Sequence, residues 1–98
     1  MNLAEAITRL RERAPAIRAR GATSLFLFGS TLSDQALADS DLDLFIDYDP
    51  ASKFNAFDLV GIKLYLEDEL KTSVDLTTRD GLHPRLRDAI EKSAIRIF

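Results

Sequence analysis

Ninety-eight residues (11.0 kDa), 46% hydrophobic and 30% charged, have the balance of one folded domain, 1–98, rather than of a disordered chain. The absence of cysteine excludes disulfides and thiolate metal sites, and a net charge of −3 argues against a dedicated nucleic-acid binder, which needs a basic surface. No apolar run is long enough to span a membrane, and residues 1–20 carry five arginines without the apolar stretch of a secretory signal, so the expected location is the cytoplasm.

The chain opens with Leu3, Ile7, Leu10, Ala14 and Ile17 at helical spacing. This predicts an amphipathic helix, kinked or interrupted at Pro15 and closed by Gly21. Arg9, Arg11, Arg13, Arg18 and Arg20 fall mostly between the apolar positions, as a solvated face or one that meets an acidic partner or RNA. Ser24-Leu25-Phe26-Leu27-Phe28 reads as a buried strand bounded by Gly29. Residues 31–39 are small and polar without a period, a short helix or a loop. Asp41 to Asp47 alternates except at Phe45, a strand with one polar face that Asp49-Pro50 ends.

From Asn55 to Leu70 the set Leu59, Ile62, Leu66 and Leu70, flanked by Val60 and Leu64, predicts a second long helix. Phe54 and Phe57, three apart, are expected in packing. Ser73 to Thr78 alternates as a third strand. After a turn at Asp80-Gly81, His83 and Pro84 lead into a helix with Leu86, Ile90 and Ala94 as its inner stripe. Ile95 to Phe98 closes the chain as a strand. The order α-β-(α)-β-α-β-α-β places the chain in the α/β (α+β) class, with a mixed four-stranded sheet covered by helices.

Charge is unevenly spread along this framework. Asp34, Asp39, Asp41, Asp43, Asp47 and Asp49 fall within residues 34–49 with no base, a local balance of −6. Asp41 and Asp43, two apart on a strand, leave the same face. Asp75 lies between Val74 and Leu76; if those two enter the core, Asp75 joins the acidic pair. Carboxylates about 4 Å apart repel by roughly 4 kcal/mol per pair at an effective dielectric near 20. Such a trio calls for a hard cation, Mg²⁺ or Mn²⁺, which commonly completes its shell with substrate phosphates. Gly29-Ser30, directly after a buried strand, suits close approach of a phosphate to the backbone. A calcium loop at Asp39, Asp41 and Asp43 is excluded, because Leu44 stands where glycine is required and Pro50 where a bidentate glutamate is. Asp47 and Asp49 read as turn and surface residues.

Gly29-Ser30, ten intervening residues and Asp41-Leu42-Asp43 resemble the GS-x10-D-x-D signature of the nucleotidyltransferase superfamily that includes DNA polymerase β. The chain is similar to the minimal nucleotidyltransferases (MNT) that pair with HEPN-domain proteins in prokaryotic toxin–antitoxin modules, from its first helix to His83-Pro84-Arg85-Leu86-Arg87. The resemblance implies the nucleotidyltransferase fold. It implies that Asp41 and Asp43 hold Mg²⁺ (or Mn²⁺), with Asp75 as the third carboxylate and the candidate base. It assigns Gly29 and Ser30 to the β/γ-phosphates of ATP. It also implies a HEPN ribonuclease toxin as partner, silenced by transfer of AMP to a tyrosine hydroxyl. One departure stands out: many relatives follow Gly-Ser with Arg-x-Arg-Gly, where this chain has Thr31-Leu32-Ser33-Asp34 and neutralises triphosphate charge less well. A binding-only antitoxin of the same fold, which masks the toxin sterically, is the alternative. Transfer to a small molecule such as an antibiotic is a third reading, one that would call for a substrate domain.

Overall fold

The computed structural model describes residues 1–29 and 42–98. Asn2 starts the first helix, α1 (Leu3–Glu12), its side chain accepting the Glu5 N–H at 2.8 Å. The helix stops at Arg13 and restarts as α2 (Ala14–Ala19), with Pro15 in the first turn, where a missing N–H costs nothing. The interruption expected at Pro15 is therefore present. Ala6, Leu10, Ala14 and Ile17 are buried.

The arginines between them are not a merely solvated face. Arg9 donates to the Glu69 carbonyl at 3.0 Å, and Arg11 reaches the carbonyls of Arg96 and Ile97 at 3.1 Å each. Arg13 donates to the Arg9 carbonyl at 2.8 Å. Arg18 lies over the Phe98 ring at 4.6 Å and Arg20 over Tyr65 at 4.0 Å. Arg9, Arg11, Arg18 and Arg20 staple the N-terminal helices to the rest of the fold, guanidinium on carbonyls and rings.

The sheet has the order β3-β2-β1-β4, built from β1 (Ala22–Phe28), β2 (Leu42–Tyr48), β3 (Val74–Thr78) and β4 (Ile95–Arg96). β1 runs antiparallel to β2 and β4, and β2 parallel to β3, so the sheet is mixed and four-stranded as expected. β1 begins two residues before the apolar pattern does, and β3 begins one residue later, at Val74. The parallel pair requires a crossover, which α3 (Ala56–Leu70) supplies. Asn55 and Asp58 form a reciprocal capping box at its start, and Lys71 ends it in the left-handed conformation. Leu25, Leu27, Leu42, Leu44, Ile46, Val74 and Leu76 pack from the sheet against Ala6, Leu10, Ile17, Ile62, Leu66 and Leu70 from α1, α2 and α3.

Three packing expectations fail. Phe54 is packed, stacked on Tyr48 at 4.8 Å, but Phe57 is 88% exposed. The pair shares no helical face because Phe54 precedes the cap at Asn55. Val60 and Leu64, expected beside the inner face of α3, are 49% and 58% exposed. Leu86 does not belong to an inner stripe: residues 83–86 make a turn closed by the His83 carbonyl, and α4 (Arg87–Ser93) begins after it. Leu86 is exposed, Ile90 and Ala94 are only partly covered, and α4 is tied down by ion pairs instead. Among the described residues no helix is long and apolar enough to cross a membrane.

Candidate active site

The face of the sheet away from α1–α3 carries the candidate chemistry. Asp43, Phe45 and Asp47 emerge there because Leu42, Leu44 and Ile46 turn into the core. That face is not uniformly polar. Phe45 is fully buried, stacked on Phe26 at 4.7 Å with Phe28 at 5.7 Å, so an aromatic cluster separates Asp43 from Asp47. Arg79 covers it, 4.9 Å from the Phe26 centroid and 5.1 Å from that of Phe45.

Arg79 also donates to both oxygens of Asp47, at 2.8 and 3.0 Å, and to Glu91 at 2.9 Å. Asp47 is thus a half-buried strand residue clamped by a guanidinium, not a turn residue. Its hydrogen bonds make Arg79 hold its proton still more firmly than a free guanidinium does. Glu91, bonded first by Arg87 and then by Arg79, sits below the usual carboxylate range. The sequence carried a signal for this clamp: Asp47 continues the two-residue series from Asp43, and Arg79 follows the third strand directly.

At the other end of the same face the acids meet. Asp43 and Asp75 are register partners on the parallel strands β2 and β3, about 4.8 Å apart in the hydrogen-bonding direction. Val74 and Leu76 are buried and Asp75 is exposed, so Asp75 shares the face of Asp43. The Leu42 N–H, bonded to the Ser73 carbonyl at 3.0 Å, carries the ladder to this edge. Phe28 pairs with Asp43 across β1, which sets Gly29 next to the carboxylate. Gly29 has φ +74°, and a Cβ there would lie 3.0 Å from the Asp43 Cγ and collide with Oδ2. Only glycine fits both that backbone and that neighbour.

The entry to β3 is fixed by a residue that the sequence reading missed. Glu67 on α3 accepts the Val74 N–H at 2.9 Å and the Lys63 ammonium at 3.1 Å. The Val74 amide, with Lys63 second, holds its carboxyl below the usual range. Nothing in the helical pattern marks Glu67, because its partner is a backbone amide seven residues on.

Carboxylate oxygens from two adjacent strands are the donor type that suits a hard divalent cation. Among the described residues no group of three or more acidic or histidine side chains could hold a metal ion. The third expected acid, Asp41, lies outside the described residues, as do Ser30, Asp34, Asp39 and the segment Thr31 to Asp34. The described clefts lie toward the far end of β2, one of about 150 Å³ lined by Tyr48, Phe54, Asn55, Leu59 and Thr78, and neither includes Asp43.

Comparison with known proteins adds four likenesses to this geometry. Residues 3–97 match the family model described as nucleotidyltransferase domain. A Methanocaldococcus jannaschii protein named a putative protein adenylyltransferase is 29% identical over 88 residues, which is 90% of this chain and 92% of the relative. A solved structure described as a putative minimal nucleotidyltransferase superposes with a TM-score of 0.78 at 35% identity, covering 97% of this chain and 95% of that one. A toxin–antitoxin structure with AMP-PNP gives a TM-score of 0.66 at 19% identity, covering 100% of this chain and 73% of that one, a likeness of fold alone.

Proposed function

The chain belongs to the nucleotidyltransferase domain family, and from that premise we propose that it is a protein adenylyltransferase, transferring AMP from ATP to a tyrosine hydroxyl of a HEPN-domain ribonuclease toxin and so neutralising it. The observation that carries this reading is the register pairing of Asp43 with Asp75 beside a left-handed Gly29 whose missing side chain makes room for the Asp43 carboxylate. The name of the Methanocaldococcus jannaschii relative supports the adenylyl group, and the toxin–antitoxin neighbour with AMP-PNP supports the nucleotide and the kind of partner.

In this reading Asp41, Asp43 and Asp75 would hold Mg²⁺ or Mn²⁺. Bound there, the ion offsets charge on the triphosphate and the leaving pyrophosphate. Gly29 and Ser30 receive the β/γ-phosphates, the glycine through its backbone. The acceptor oxygen bonds to the α-phosphorus as the bond to the bridging oxygen breaks and pyrophosphate leaves. The hydroxyl proton passes to a carboxylate, and Asp75, exposed at the rim, is the candidate base.

Incubation with ATP, Mg²⁺ and the partner, followed by intact mass, tests the proposal. The partner gains the mass of AMP with the wild type and not with Asp41→Asn/Asp43→Asn. The alternative, a binding-only antitoxin, is favoured by the lack of arginine from Thr31 to Asp34. It requires the double variant to neutralise the partner as well as wild type does, with no mass gained in either case.

A further inference from the structure

We infer that the exposed face of α3 is a contact between two copies of this chain, packed antiparallel about Val60 and Gly61. The inference does not rest on the proposed reaction, because α3 lies on the face of the sheet opposite Asp43 and Asp75.

Phe57, Val60, Gly61 and Leu64 form one stripe on α3, two turns and about 10 Å long. Their exposure, 88% for Phe57, 49% for Val60 and 58% for Leu64, makes this the largest group of uncovered apolar side chains among the described residues. Gly61 adds an oddity. A glycine inside a helix costs about 1 kcal/mol against alanine. A Cβ at Gly61 would meet nothing within 4 Å, so no neighbour among the described residues requires its absence. A notch in mid-helix is useful to a second helix that must come close.

The stripe is complementary to itself when reversed. With the two-fold axis between residues 60 and 61, Phe57 faces Leu64 of the second copy and Val60 enters the notch at Gly61. The same operation carries Asp68, 80% exposed and paired among the described residues only with the similarly exposed Lys71 at 3.4 Å, to the N-terminal end of the opposing helix. The helix dipole is positive there, and Lys53, which has no ion pair among the described residues, stands just ahead of it. A parallel pairing would oppose Phe57 to Phe57 and like dipole ends to each other. Contact on this face leaves the acids of both copies open to substrate. Two helical turns bury well under the roughly 800 Å² per partner of a stable complex, so the dimer is weak and reversible.

Because the chain has no cysteine, single introduced cysteines report the geometry directly. Sedimentation from about 10 µM to about 1 mM should show a monomer–dimer equilibrium, and Phe57→Glu or Val60→Glu should raise its Kd at least tenfold with an unchanged circular dichroism spectrum. Phe57→Cys and Leu64→Cys chains, mixed and mildly oxidised, should give the mixed disulfide in preference to either homodimer. A chain that stays monomeric to about 1 mM, or a dimer indifferent to both glutamates, overturns the proposal. So do homodimeric disulfides from Phe57→Cys, and so does a stripe needed only for binding a different protein.

Discussion

Gly29→Ala tests the site where backbone and carboxylate constrain each other. At φ +74° a non-glycine residue costs about 1–2 kcal/mol. The new methyl would also stand 3.0 Å from the Asp43 Cγ and overlap Oδ2, so the carboxylate must rotate off its rotamer for about another 1 kcal/mol. Together these give about 2–3 kcal/mol, which for a domain of this size lowers the melting temperature by about 10–20 °C. Activity should fall further than stability, because misplacing a reacting group by about 1 Å costs on the order of a hundredfold. Thermal unfolding and AMP transfer, each at a temperature where the variant is folded, separate the two losses. Repeating the substitution in an Asp43→Ala background removes the overlap and should leave only the backbone cost of about 1–2 kcal/mol. A variant that melts within about 2 °C of wild type refutes the reasoning, as does a cost that is the same with and without the carboxylate.

Arg79→Met keeps much of the cover over Phe26 and Phe45 but strands Asp47 and Glu91. A loss of about 2–3 kcal/mol in urea unfolding is expected, since hydrogen bonds to charged groups are worth about 1.5–3 kcal/mol and this guanidinium is only 27% exposed. Asn55→Ala removes the acceptor for the Phe57 and Asp58 amides at the start of α3 and should cost about 1 kcal/mol in the same measurement. Glu67, whose carboxyl is depressed by the Val74 amide and Lys63, contributes stability that is present above the unfolded carboxyl pKa of about 4.3 and lost as pH falls through the folded value. Glu67→Gln should therefore flatten the decline in melting temperature between about pH 5 and about pH 3; an unchanged slope would remove Glu67 from the acid response.

What the chain's own order determined was periodic. Alternation at Asp41 to Asp47 and Ser73 to Thr78 located two strands, and it put Asp43 and Asp75 opposite buried neighbours, because a strand offers only two faces. Helical spacing found α1 and α3 and the break at Pro15, and glycine after a buried strand marked the bend beside the acids. These are local consequences of backbone geometry, legible without knowing what packs where.

Tertiary structure decided everything that depends on a partner distant in sequence. Only the parallel register of β2 with β3 makes Asp43 and Asp75 neighbours, across 31 intervening residues. Periodicity put Asp47 on the face of Asp43 but did not pair it with Arg79, and Glu67 on the Val74 amide and the N-terminal arginines on remote carbonyls left no periodic mark at all. A charged side chain's partner is chosen by proximity in space, and a backbone amide donor or carbonyl acceptor leaves no mark in residue type. The same limit explains Phe57 and Leu86. Hydrophobicity made them core candidates, but burial requires a facing surface, and the described residues offer none at those positions.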